Sequence, residues 1–191
     1  MKIVCLLASP RPKGNSATIA GWVCDEAEAR GAEVQVFELN KMNYRGCQAC
    51  MACKTNADRC VLEDDLTGVL DAVREADAVV VATPVYFGDV TAQLKGFIDR
   101  TYSYFVPDFL TTPTPSRLKP GKRLVFIQAQ AQPDEQLFAD IYPKYGLFFK
   151  FNGFQDNILI RACGVQAPDD AAAKPALQEQ AKQAAGAIMG G

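Results

Sequence analysis

The chain predicts a doubly wound α/β domain built on a parallel five-stranded sheet with helices on both faces. Strand-like and helix-like stretches alternate from one end to the other. Two strand candidates, Ile3–Leu7 and Ala78–Ala82, are unbroken apolar runs of the kind buried on both sides. A length of 191 residues, 49% of them apolar, suits a single domain (1–191) with a full core.

The elements follow in order. After the first strand, a helix from about Asn15 carries Ala20, Val23, Cys24 and Ala27 on one stripe, and Gly31 is placed to stop it. Val34, Val36 and Leu39 mark a second strand. A cysteine-rich loop at 44–64 then interrupts the rhythm. Asp64 or Asp65 is a good N-cap for a helix through Leu66, Val69, Leu70 and Val73. Beyond the third strand, Ala78–Ala82, a helix bearing Leu94, Phe97 and Ile98 ends near Arg100. Leu124–Ile127 reads as the fourth strand and Ile158–Ile160 as part of the fifth. Between them Leu137, Phe138, Ile141, Tyr142 and Tyr145 share one helical face. The tail from Asp170 repeats Leu177, Ala181, Ala184, Ala185 and Ile188 as a last amphipathic helix, with Gly190 and Gly191 expected to fray. The connection Tyr102–Lys122, rich in proline and aromatics, is longer than usual. It reads as a surface excursion, or else as a lid or an oligomer contact.

Composition excludes several classes of function. A formal net charge of −2 with mixed signs leaves no nucleic-acid footprint and no polybasic membrane anchor. No apolar run reaches the roughly 20 residues of a membrane helix. The N-terminal apolar stretch runs straight into Ser9-Pro10-Arg11-Pro12-Lys13 without a cleavage pattern, so it reads as a strand and not a leader. Seven cysteines, an odd number, argue against a disulfide framework and for the reducing cytoplasm. Cys5 and Cys24 fall at core positions, and Cys163 has no assigned role.

Two loops carry binding chemistry. Ligands in doubly wound sheets collect beyond the strand ends, where strand order reverses. The first such loop reads Ser9-Pro10-Arg11-Pro12-Lys13-Gly14-Asn15-Ser16, which is neither G-x-G-x-x-G nor G-x-x-x-x-G-K-[ST]. It still suits an anion: Ser9, Asn15 and Ser16 offer donors, Arg11 a charge, and the helix start its free N–H groups. Gly14 permits close approach or a positive φ. The competing reading is a solvated turn in which Asn15 or Ser16 caps the helix. The second loop, Thr83-Pro84-Val85-Tyr86-Phe87-Gly88, is apolar and aromatic at a strand tip, as a flat ring system would require. Otherwise Tyr86 and Phe87 pack under the next helix.

Together these loops resemble the NADPH-dependent FMN reductase family of flavodoxin-like proteins. The resemblance rests on S-P-R-x-x-[GS]-N-[ST], matched by Ser9, Pro10, Arg11, Gly14, Asn15 and Ser16. It rests equally on P-V-Y-F-G with A-Q-L-K, matched by Pro84–Gly88 and Ala92–Lys95. It implies a flavodoxin-like sheet of order 2-1-3-4-5. FMN would then have its phosphate at Ser9, Arg11, Gly14, Asn15 and Ser16 and its ring against Pro84, Val85, Tyr86, Phe87 and Gly88. Family members often carry glycine after strand four, where this chain reads Gln128-Ala129-Gln130-Ala131-Gln132-Pro133. No residue of that loop is therefore assigned to the site.

The remaining motif is Cys47-x2-Cys50-x2-Cys53-x6-Cys60, in a chain without histidine. Thiolates alone suit iron–sulfur clusters or zinc, and C-x-x-C pairs also support disulfide chemistry. Within the family, four clustered cysteines after strand two resemble the iron–sulfur flavoprotein branch. That resemblance implies a [4Fe–4S] cluster held by Cys47, Cys50, Cys53 and Cys60 beside FMN. Zinc, redox-active disulfides, or a cluster lost over time stay as other readings.

The expected function is an FMN-dependent oxidoreductase moving electrons between FMN and the cluster, with NAD(P)H as a transient donor or a ferredoxin-type partner. Alternatives are an NAD(P)H-dependent FMN or quinone reductase without a cluster, and a non-enzymatic electron carrier. No protein general acid or base is singled out. A homodimer or homotetramer is expected, with Tyr102–Lys122 as candidate contact.

Overall fold

The computed structural model describes residues 1–190. Five strands, β1 (Lys2–Leu7), β2 (Glu33–Glu38), β3 (Ala78–Pro84), β4 (Lys122–Ala129) and β5 (Phe154–Ala162), form one sheet in the order β2-β1-β3-β4-β5. Every neighbouring pair is parallel. The expected order is therefore the observed one. Strand order reverses between β1 and β3, and their C-terminal ends deliver the two motif loops to a single edge.

The helices are α1 (Asn15–Ala29), α2 (Ala52–Thr55), α3 (Leu66–Glu75), α4 (Ala92–Arg100), α5 (Ile141–Phe151) and α6 (Pro175–Met189). Side-chain alternation along the strands divides the core in two. Ile3, Cys5, Val80, Val125 and Ile127 pack with α1 and α6 on one face. Val4, Leu6, Val79, Val81 and Phe126 pack with α3, α4 and α5 on the other. Residues on β3 from Ala78 to Val81 are wholly inaccessible, as expected of a parallel strand covered on both faces. Cys5 and Cys24 are buried core residues. A hydrogen bond with Cys24, and then burial, push the Cys5 thiol well above its ordinary pKa, so it stays protonated.

Two local expectations are corrected. Leu39 is not part of β2 but begins a 3-10 turn, Leu39–Lys41, and is fully buried there. β2 is an edge strand, and its Val36 is largely exposed. Leu137 and Phe138 do not belong to the helix of Ile141, Tyr142 and Tyr145: α5 starts at Ile141, and Phe138 has φ 63°. Hydrogen bonds from buried Gln128 and Gln130 to the Phe138 and Leu137 carbonyls win over the helical period there. Gly190 donates its N–H to the Gly186 carbonyl and closes the last turn of α6, while Gly191 lies outside the described residues.

Buried Thr91 joins the two motif loops to the helix that follows them. Its hydroxyl donates to the Ala8 carbonyl (3.1 Å) at the end of β1 and accepts the Leu94 N–H (3.3 Å) as N-cap of α4. Its own N–H donates to Thr83 Oγ1 (3.2 Å) at the end of β3. Among the described residues, no helix is long and apolar enough to cross a membrane.

Candidate functional site

The two motif loops meet. Ser9, Arg11, Gly14, Asn15, Ser16, Pro84, Val85 and Tyr86 line one cleft of about 170 Å³ at the C-terminal edge of β1 and β3. Ligand clefts are commonly about 300–1,000 Å³, so this one is small for a whole ligand-binding cleft.

Gly14 is the N-cap of α1, with extended backbone (φ −74°) and no side-chain cap. Neither Asn15 nor Ser16 is therefore the cap, and Gly14 does not take a positive φ. What Gly14 supplies is space: a Cβ there would lie 3.1 Å from Ser9 Oγ and 3.3 Å from the Arg11 carbonyl. The first α1 bond runs from Thr18 N–H to the Gly14 carbonyl (2.9 Å). The N–H groups of Asn15, Ser16 and Ala17 precede it and lack intrahelical partners, as at any helix start, with the positive end of the helix dipole behind them. Ser9 Oγ accepts the Arg11 N–H (3.0 Å), which curls the loop over this start. Arg11 is exposed and its Nη1 donates to the Gln166 carbonyl (3.3 Å).

Asn15 differs from its expected role. Its side chain donates to the Ala167 carbonyl (2.8 Å) and accepts the Ala171 N–H (2.8 Å). It braces the loop after β5 against the Ser9–Ser16 loop and leaves only its backbone N–H free.

The ring-side loop is a tight turn. Tyr86 and Asp89 exchange backbone hydrogen bonds (2.9 and 3.1 Å), with Phe87 (φ 52°) and Gly88 (φ 82°) at the tip. Both central residues are left-handed, the pattern of a type I′ turn, and for phenylalanine this conformation is strained. Phe87 is fully exposed and Tyr86 is 44% exposed, so neither packs under α4. Phe87 and Gly88 stand at the mouth and are not part of the cleft wall. Among the described residues, their N–H groups make no hydrogen bond. Asp89 holds the turn from outside. It accepts from Val90 N–H (2.7 Å), Tyr145 Oη (2.9 Å) and Lys144 Nζ (2.8 Å). Burial opposes ionisation of Asp89, but these donors outweigh it and lower its pKa.

Sequence reasoning missed four lining residues, Ala129, Ala131, Val165 and Gln166. The first two lie in the loop set aside for lack of glycine. Its glutamines turn away from the cleft: buried Gln128 donates to the Phe138 carbonyl (3.0 Å), and buried Gln130 to those of Asp134 and Leu137. The alanines between them are small enough to let a ligand approach. No motif flags Val165 and Gln166, and only the rule that sites gather at strand ends would have found them.

The four cysteines of the 44–64 loop line a second, smaller pocket of about 20 Å³ with Arg100, Tyr102 and Ser103. Cys47 and Cys50 are exposed, and all seven cysteines are free thiols. Among the described residues, no three His, Cys, Asp or Glu side chains are already gathered into a metal-holding group. Met51 is left-handed (φ 59°) and leads into right-handed α2. Such a pair directs successive N–H groups to one side, a nest of the type that receives anions and iron–sulfur clusters.

Three cations fix the surroundings of this loop. Buried Arg100 donates from Nη1 to the Arg45 carbonyl (3.0 Å) and Asp64 Oδ2 (2.8 Å), and from Nη2 to the Leu62 carbonyl (3.1 Å). Lys54 Nζ donates to the Tyr102 and Phe105 carbonyls (2.7 and 2.8 Å), lies 3.6 Å from Cys53 Sγ, and sits over the Tyr102 ring. Burial lowers the Lys54 pKa against the pull of the nearby Cys53 sulfur. Arg117 reaches the carbonyls of Cys53 (3.0 Å), Ser103 (2.9 Å) and Phe105. The start of the Tyr102–Lys122 segment is thus a wall of the cysteine pocket, and no residue of the segment lines the larger cleft, so it is not a lid there. Its tip carries highly exposed Leu110. Tyr44 completes the attachment by donating to the Gln93 carbonyl (2.6 Å). Its ring fits against Gly96, where a Cβ would come within 3.0 Å. Burial, then Asp64, pushes the Tyr44 pKa up to about 12, so the phenol remains a donor at neutral pH.

Comparison with known proteins agrees with this layout. Residues 1–133 match the family described as NADPH-dependent FMN reductase. An iron-sulfur flavoprotein of Methanosarcina thermophila is 38% identical over 101 residues, covering 53% of this chain and 52% of that protein. One from Archaeoglobus fulgidus is 38% identical over 104 residues, covering 54% and 47%. The chain thus spans about half the length of the curated relatives it matches. Among solved structures, an FMN-dependent NADH-azoreductase from Bacillus anthracis, in complex with FMN, superposes with a TM-score of 0.74 at 16% identity, covering 99% of this chain and 100% of that one. NAD(P)H:quinone oxidoreductase from Methanothermobacter marburgensis gives 0.75 at 19% identity, covering 97% and 95%. At such identities these two establish the fold alone.

The Arg100–Asp64 pair generates a pH prediction. Burial disfavours the Asp64 carboxylate, but hydrogen bonds from Arg100 and the Arg45 N–H, with the Arg100 charge, outweigh this and lower its pKa. Its contribution to stability is therefore full above the ordinary carboxylate value of about 3.9 and is lost as pH falls through the lower folded value. Asp64→Asn is expected to be clearly less stable than wild type at pH 6. In urea unfolding, the gap should shrink steadily as pH is lowered through 3.

Proposed function

This chain belongs to the NADPH-dependent FMN reductase family, and we propose that it is an FMN-dependent oxidoreductase whose single domain, residues 1–191, couples FMN to a [4Fe–4S] cluster. The observation that carries the reading is the convergence of the Ser9–Ser16 and Pro84–Gly88 loops on one cleft. The residues fit a mononucleotide. The uncapped N–H groups at the start of α1 and the Arg11 guanidinium suit a phosphate, and the space kept by Gly14 lets that phosphate reach the backbone. The free N–H groups of Phe87 and Gly88 suit the polar edge of a flavin ring, and Pro84, Val85 and Tyr86 support its face.

The cysteine loop also fits its group. Cys47, Cys50, Cys53 and Cys60 supply four thiolates, and Lys54 and Arg100 offset the negative charge that such a centre gathers. FMN supplies exchange between two-electron and one-electron chemistry, and a cluster supplies one-electron transfer. The protein's own part is to bind, orient and exclude water. Asp89, Lys144 and Tyr145 hold the ring-side turn, and Asn15 locks the cradle to the loop after β5.

Helix α4 separates the two sites. Thr91 at its N-terminus follows the ring-side turn and Arg100 at its C-terminus lines the cysteine pocket. Nine residues of helix span about 13 Å, so both centres belong to one small region.

NAD(P)H or a ferredoxin-type protein is the proposed redox partner, and the cytoplasm the proposed location, in keeping with seven unpaired thiols. A reductase lacking the cluster is the second reading, in which the four cysteines stay free thiols.

Anaerobic purification with absorption spectra and iron, sulfide and flavin counts separates the two readings. The proposal expects one FMN with iron and sulfide in equal amounts, and loss of iron but not FMN in Cys50→Ser. FMN without iron, together with rapid NAD(P)H oxidation, would select the second reading. Gly14→Ala forces a methyl group against Ser9 and Arg11, an overpacking of about 1–3 kcal/mol. FMN affinity by fluorescence titration is expected to fall about tenfold or more. Sedimentation across a concentration series is expected to show a homodimer or homotetramer.

A further inference from the structure

Arg100 has more donors than its protein partners accept. Its side chain is wholly inaccessible to solvent. Nη1 is satisfied by Asp64 and the Arg45 carbonyl, and Nη2 reaches the Leu62 carbonyl. The Nε–H, equally buried, has no acceptor among the described residues. An orphaned buried donor on a charged group is costly, on the order of 1–3 kcal/mol or more, and calls for an explanation. The same guanidinium lines the pocket shared by Cys47, Cys50, Cys53 and Cys60.

We infer that Arg100 is a positioning residue for the sulfur-bound centre, its free Nε–H serving as a hydrogen-bond donor to the sulfur atoms gathered in that pocket and so setting the ease of their reduction. The inference rests on the cluster reading above and adds a residue that is not a ligand. Two features support it beyond the orphan donor. Arg100 is clamped from three sides, so its guanidinium is pre-organised. It also grips the loop at both flanks of the cysteine run, through the Arg45 carbonyl before Cys47 and the Leu62 carbonyl after Cys60. Reduction adds negative charge to sulfur, and a fixed donor stabilises that charge more than it stabilises the oxidised form. Arg100 should therefore raise the reduction potential. Lysine in its place would keep a charge but lose the planar fork and the Nε–H.

The test is anaerobic reconstitution of the full chain with iron and sulfide, in wild type, Arg100→Lys and Asp64→Asn. Iron and FMN contents, thermal midpoints and redox titration of the cluster absorbance are recorded for each. Asp64→Asn removes the ionic partner of Arg100 but leaves its Nε–H, so it reports the loosened clamp together with the loss of one nearby negative charge, which acts in the upward direction, opposite to the drop expected for Arg100→Lys. In Arg100→Lys the reduced-to-oxidised ratio at a fixed potential should drop about tenfold, equal to ~59 mV for one electron. Asp64→Asn should move it much less, even where its thermal midpoint falls as far. Should Arg100→Lys fail to fold, the wild-type protein still decides: an arginine Nε–H resonance in its 15N spectrum should shift and gain exchange protection when the cluster is assembled. Equal shifts in both variants, no shift in either, or an unchanged Nε–H spectrum would overturn the role of Arg100 and leave the cluster reading standing. Wild-type protein that binds FMN but takes up no iron or sulfide would instead remove the cluster reading, and the inference with it.

Discussion

The hydroxyl of Thr91 stands at the junction on which the site depends. It holds the carbonyl that ends β1 and caps the helix that follows the ring-side turn, while the Thr91 N–H leans on Thr83 at the end of β3. Main-chain pairing carries on one step past β1, where the Ala8 N–H donates to the Ala82 carbonyl (2.9 Å). Beyond it a single buried hydroxyl, with donor and acceptor both used, adds the next connection. The Ser9–Ser16 loop and the turn at Tyr86–Asp89 are thereby held as two walls of one cleft. Asn15 performs a similar task one loop further on, joining the Ser9–Ser16 loop to Ala167 and Ala171.

The strained tip of the ring-side turn makes sense against this rigidity. Phe87 keeps a left-handed backbone because both flanks are fixed. Tyr86 and Asp89 pair through the main chain, and the Asp89 carboxylate is tied to Tyr145 and Lys144 on α5. Strain of about 1–3 kcal/mol at such a residue persists only where its surroundings over-determine it. The result is a turn that presents two unpaired N–H groups outward and cannot relax to hide them.

Much of this was legible in the sequence, for reasons that differ by element. β3 announces itself because burial on both faces demands a continuous apolar run, and the order of the sheet follows once the two motif loops are recognised. Leu39 misleads because a buried leucine beyond the edge strand looks like one more strand residue. Leu137 and Phe138 mislead because their spacing is helical, while Gln128 and Gln130 capture the carbonyls of that stretch. Asn15 lines the cleft, but its side chain answers to a loop more than 150 positions away. No local pattern encodes that partner. Ala129 and Ala131 were set aside because the expected residue was glycine, although small size was the physical requirement. The four cysteines were plain from spacing alone, whereas Arg100, at the end of an ordinary amphipathic helix, carries no signal until the fold brings it beneath them.

Lys54, Arg100 and Arg117 grip their surroundings mainly by carbonyl oxygens: those of Arg45 and Leu62, Cys53, and Tyr102, Ser103 and Phe105. Every amino acid brings a carbonyl, whatever its side chain. Drift in the identity of positions 45, 62, 102, 103 and 105 therefore leaves these attachments intact, whereas replacing any of the three cations does not. Among homologous sequences, substitutions should accumulate freely around the thiols while the basic residues that clasp the main chain stay put.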